Sequence, residues 1–167
     1  MKILKIQALR GPNIWSVQRK KLIQMRLDLE EMEQFPTNKI EGFRERIEAM
    51  FPTMIEHRCS EGCRGGFFSR VERGTWMGHV IEHIALEIQT LAGMETGFGR
   101  TRETKTPGVY NVVFSYTEEN VGLFAAESAV AIAESLIAGT EYDVEADIQK
   151  MREIRERVRL GPSTGSI

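Results

Sequence analysis

Cysteine is nearly missing from this chain of 167 residues: Cys59 and Cys63 are too few for a disulfide framework. Histidine is scarce as well, with three residues. No apolar run looks long enough to span a membrane, and Met1 to Leu9 mixes apolar with basic residues, unlike a secretory signal core. The net charge of −2 argues against a general nucleic-acid binder. No G-x-x-x-x-G-K-[ST] loop is present for nucleotide phosphates. Internal repeats and low-complexity tracts are lacking. What remains is a hydrophobic content of 41%, enough for a core. A single domain, cytoplasmic by default, is expected.

Against that scarcity, two of the three histidines fall in one short stretch, His79-Val80-Ile81-Glu82-His83. Around it Met77, Val80, Ile81, Ile84, Ala85 and Ile88 recur at three- and four-residue steps, which predicts a helix to about Ala92, with Gly93 as its C-cap. Histidines four apart lie one turn above each other and can share a metal ion. Glu82 borders the same face, where a carboxylate can reach a water without being a ligand. This H-x-x-E-H order reverses the H-E-x-x-H of zinc proteases. The bland alternative is a pair of boundary histidines bonded to backbone; the strongly apolar flanks argue that the polar triad has a purpose.

A third ligand is sought in Leu123 to Ile137, an almost wholly apolar helix interrupted by Glu127 and Glu134, seven apart on one face. Either would complete a His, His, Glu set with an open position. A solvated helix edge is the alternative. His57, Cys59 and Cys63 match no standard zinc spacing and are read as a structural loop.

The other elements predict an α+β fold: a small, mostly antiparallel sheet packed on helices. Lys2 to Leu9 and Leu22 to Leu29 read as strands, the second alternating clearly. Thr37 or Asn38 is a plausible cap for a helix over Ile40 to Met50, which Phe51-Pro52 stops. Thr53 to Cys59 reads as a short extended piece, and Gly65-Gly66 as a site of flexibility or close backbone approach. Gly97 to Arg102 and Val109 to Tyr116 form a hairpin around Pro107-Gly108, with Arg100 and Arg102 on one strand face. Glu145 to Arg159 is a charged terminal helix. Residues 1–160 are taken as the domain and 161–167 as a linker.

Several stretches resemble the cyanophycin synthetase family at its N-terminal region: Lys2-Ile3-Leu4-Lys5, Leu9-Arg10-Gly11-Pro12-Asn13, Met25-Arg26-Leu27-Asp28-Leu29-Glu30, Cys63-Arg64-Gly65-Gly66-Phe67 and Gly78 to His83. The resemblance implies a longer, homo-oligomeric enzyme. Its ATP-grasp and Mur-ligase-like domains, lying beyond this chain, use ATP and Mg²⁺ to add Asp and Arg to cyanophycin. For this part it implies polymer handling and no synthesis alone. Arg19, Lys20, Lys21, Arg100 and Arg102 would take carboxylates of the polymer; Glu30, Glu31 and Glu33 would take guanidinium groups. The element order is also similar to that of the pitrilysin and insulysin metallopeptidases. That likeness implies Zn²⁺ on His79, His83 and Glu127 or Glu134, with Glu82 as base and Arg100 as oxyanion or carboxylate partner. The expected function is zinc-dependent cleavage of cyanophycin to make primers; the alternative is a non-catalytic tethering or docking module. No nucleic-acid or membrane partner is expected.

Overall fold

The computed structural model describes residues 1–16 and 20–161. Four antiparallel strands form one sheet in the order β1-β2-β4-β3: β1 (Lys2–Leu9), β2 (Leu22–Asp28), β3 (Gly99–Glu103) and β4 (Val109–Ser115). Alternation decides the faces. Ile23, Met25 and Leu27 of β2 stand opposite Phe114, Val112 and Tyr110 of β4, and all six enter the core. β3 joins β4 through the predicted turn, pairing Arg100 with Val113.

Five helices cover that core: α1 (Phe43–Met50), α2 (Gly66–Arg73), α3 (Met77–Leu91), α4 (Glu119–Ala138) and α5 (Val144–Leu160). α3 is the innermost. Val80, Ile81, Ile84 and Ile88 are fully buried on it. β-branched residues cost a helix a few tenths of a kcal/mol each, but burying one returns about 1.5–3 kcal/mol. Packing therefore outweighs propensity, and the H-x-x-E-H segment is held on the most enclosed helix.

Three local expectations need correction. The stretch expected to be extended after Phe51 is a 3-10 helix, Pro52–Glu56, started by Pro52 at its first turn. α1 begins at Phe43, after Gly42 in the left-handed region (φ 69°). Thr37 therefore does not cap it; its hydroxyl donates to the Val71 carbonyl at 2.6 Å and accepts from the Thr75 amide at 3.0 Å, pinning the joint between α2 and α3. Finally, α4 does have the length and apolar composition of a membrane span. Its apolar side are turned inward, however: Val121, Ala125, Ala126, Ala129, Ile132 and Ala133 are fully buried.

Candidate metal centre

His79 and His83 project from one side of α3, as the four-residue spacing requires. Their rings meet edge to face with centroids 4.7 Å apart, and the two Nε2 atoms are 3.1 Å apart. The other nitrogen of each ring is engaged: Thr75 Oγ1 lies 2.9 Å from His79 Nδ1, and His57 Nδ1 lies 2.8 Å from His83 Nδ1. Phe67 packs on His83 at 4.4 Å between centroids. Burial pushes the His79 imidazole down to about 4, with Arg70 adding to the effect. Burial also holds His83 well below the usual histidine range, helped by His79 and His57. Both rings are therefore neutral near pH 7, with lone pairs free to bind a cation.

The third donor arrives from outside the helix. Cys59 opens a 3-10 turn, Cys59–Glu61, and its Sγ lies 3.2 Å from His79 Nε2. Its backbone sits in the left-handed region (φ 54°), uncommon for a side chain of this size. Cys59 Sγ and one nitrogen each from His79 and His83 all fall within 4.8 Å of one another. Two nitrogens on a tetrahedral zinc stand roughly 3.3 Å apart, and a sulfur and a nitrogen roughly 3.6 Å. The donor types and spacings fit that ion, with one position left for a small ligand.

Behind His83 runs a polar chain. His57 Nε2 lies 2.7 Å from Glu87 Oε2, and the other Glu87 oxygen accepts from Thr53 Oγ1. With the His83 Nε2 lone pair turned to a cation, His83 carries its proton on Nδ1 and donates to His57 Nδ1. His57 then carries its own on Nε2 and donates to Glu87. One carboxylate so sets the tautomers of two rings.

Glu82 faces the same cavity, about 1020 Å³ in volume, that the histidines line. Its carboxylate accepts from Thr101 Oγ1 at 2.6 Å. Burial pushes it up to about 7, against the opposing pull of the Thr101 hydrogen bond and the Arg100 charge. Gly99 makes room for it: a Cβ there would lie 2.3 Å from Glu82 Oε1. A carboxylate pushed up to about 7 therefore stands in one cavity with three side chains able to hold a cation.

Comparison with known proteins gives the family of the chain. The family of cyanophycin synthase-like N-terminal domains matches residues 24–138. The chain belongs to this family. Over its whole length it is 52% identical to the cyanophycin synthetase of Synechocystis sp., 53% to that of Geminocystis herdmanii and 49% to that of Crocosphaera subtropica. In each case it spans 20% of the relative's length. His57, Cys59, His79, Glu82, His83, Glu87 and Arg100 all fall inside the stretch that the cyanophycin synthase-like family model covers.

Of the residues expected from sequence, the structure brings His79, His83, Glu82 and Arg100 to one cavity. It does not bring Glu127 or Glu134 there. Both lie on the exposed edge of α4, and Glu134 instead reaches the Met1 amino group at 3.4 Å. Two acids seven apart on a buried apolar helix are its solvent-facing stripe. His57 and Cys59, set aside above as part of a structural loop for want of a zinc spacing between them, instead meet His83 and His79 from outside α3, and Glu87 carries no sequence signal at all; Cys63 stays exposed and apart. Lys20 Nζ sits 4.8 Å over the Phe98 ring, which Arg100 also approaches at 5.8 Å. Lys21 and Arg102 are exposed and line no part of the cavity. Arg19 lies outside the described residues, as do residues 162–167 of the expected linker.

Proposed function

We propose that this chain is the polymer-handling part of a cyanophycin synthetase, and that it hydrolyses cyanophycin at a zinc site to provide chain ends for elongation. The ATP- and Mg²⁺-dependent steps fall to ATP-grasp and Mur-ligase-like domains of the larger, cytoplasmic, homo-oligomeric enzyme. The observation that carries the reading is the convergence of Cys59 Sγ, His79 Nε2 and His83 Nε2 beside the Glu82 carboxylate.

Cys59, His79 and His83 would hold the ion. Zinc in such a set supplies Lewis acidity that makes water a better nucleophile at neutral pH. Glu82 takes the proton of the attacking water and passes it to the leaving amine. Thr101 orients the Glu82 carboxylate through its hydroxyl. Arg100, on the neighbouring strand β3, stands ready to neutralise charge developing on the scissile carbonyl oxygen. Burial of His83 and Glu82 keeps bulk water from competing for these two groups.

The test gives the chain cyanophycin with and without a chelator, and compares Glu82→Gln. Expected is cleavage that stops on chelation and returns with zinc, and that Glu82→Gln slows by roughly 10²–10⁴-fold while zinc stays bound. Cleavage indifferent to both treatments overturns the reading. Polymer affinity without cleavage leaves the tethering module.

A further inference from the structure

The charges around this cavity are unequally satisfied. Three carboxylates line it, and each has a partner: Glu56 accepts from Arg64 Nε at 2.8 Å, Glu82 from Thr101, and Glu87 from His57 and Thr53. Three arginines line it too, Arg58, Arg70 and Arg100. Among the described residues, none of these three guanidinium groups makes a salt bridge or a side-chain hydrogen bond. Nearby arginines do find acids: Arg73, on the same helix as Arg70, pairs with Glu61. The cavity wall therefore carries three guanidinium groups without an acidic partner among the described residues, while its own acids are engaged.

Arg70 stands out. It is only partly exposed, and its Nε is shut away from solvent with no hydrogen-bond partner. Leaving a buried donor unmade is costly, more so in a charged group. The terminal N–H groups of Arg70, which line the cavity beside His79 and likewise have no partner, are the donors open to something that enters it. A guanidinium presents paired N–H groups in a plane, which match the two oxygens of a carboxylate.

We propose that Arg70 is a specificity residue that receives a carboxylate of the substrate beside His79, with Arg58 and Arg100 flanking the opening. This rests on the reading above that the cavity takes cyanophycin. Each repeat of that polymer offers one carboxylate and one guanidinium group. The acids of the wall are already engaged, so the carboxylate is the group recognised.

The experiment measures equilibrium binding to the intact protein in a Glu82→Gln background, which keeps the probe uncut. The probes are a short labelled cyanophycin oligomer and the same oligomer with its carboxylates converted to carboxamides. Amidation is expected to weaken binding roughly tenfold or more. In the added variant Arg70→Gln that penalty is expected to shrink to a small fraction of itself, and Arg70→Lys to keep only part of it. An amidation penalty equal in the parent and in Arg70→Gln overturns the proposal, as does a parent that ignores amidation. Where Arg70→Gln does not fold, Arg70→Lys decides, and an undiminished penalty overturns the proposal. Failure to cleave polymer would sink the hydrolase reading and leave this affinity comparison readable.

Discussion

At the scale of single residues, the centre depends on what stands behind the donors as much as on the donors. Glu87 touches neither Cys59 nor His79, yet it sets the proton on His57 and through it the one on His83. Groups that orient a ligand from behind typically carry 10–100-fold in metal affinity. Glu87→Gln is therefore expected to weaken zinc binding roughly 10–100-fold, and Cys59→Ser to weaken it further, both read by competition with a colorimetric chelator. Unchanged affinity in Cys59→Ser would remove the thiol from the site. The histidine pair was legible in the sequence because its geometry is local: four residues is one helical turn. The thiol was not, since Cys59 is twenty positions from His79 and meets it only through the packing of a loop on α3. The search for a carboxylate on α4 followed the apolar flanks of Glu127 and Glu134, and those flanks signalled only how thin the outer stripe of a buried helix is.

At the scale of elements, the loop that delivers Cys59 is located by α2. Gly66 opens that helix directly beneath the Arg58 carbonyl: a Cβ there would sit 2.0 Å from that oxygen and 2.9 Å from the Glu61 Cβ. The close backbone approach suggested by the Gly65-Gly66 pair is real, and its partner is the turn that carries the thiol. Gly66→Ala has to push that turn outward. Expected is a loss of about 1–3 kcal/mol in unfolding free energy, together with weakened zinc binding, while the far-ultraviolet signal of the long helices persists. Chemical denaturation and metal titration on the same sample check both parts. Long periodic elements such as α3 and α4 were readable because many buried positions repeat the 3.6 period. The 3-10 segments after Phe51 were not, because three to five residues carry too little pattern to tell a tight helix from an extended piece.

At the scale of the whole molecule, the antiparallel sheet and its hairpin were foreseeable, but the central pairing of β2 with β4 joins segments about ninety residues apart and no local signal announces it. That closure also sets the environment of the tyrosines. Burial raises the phenols of Tyr110, Tyr116 and Tyr142 above the ordinary tyrosine range, with Glu33, Glu119 and Asp147 respectively pushing the same way. A phenol raised by folding lends stability that is fully present below its unfolded value and disappears as pH climbs through the folded one. Absorbance of tyrosinate at long ultraviolet wavelengths is thus expected to rise at higher pH in the folded protein than in the unfolded chain, in step with loss of the fold. Normal titration of all three at pH 10 in folded protein would contradict this packing.

The donors of the centre belong to regions of unequal firmness. Two are rooted in the innermost helix, and the third hangs on a peripheral left-handed turn. An ion held by all three would act as a clasp between the rim and the trunk of the molecule. Zinc should therefore slow amide hydrogen exchange across residues 57–66 and leave α3, already protected, almost untouched; the cation's hold would be read in how often the rim lets go.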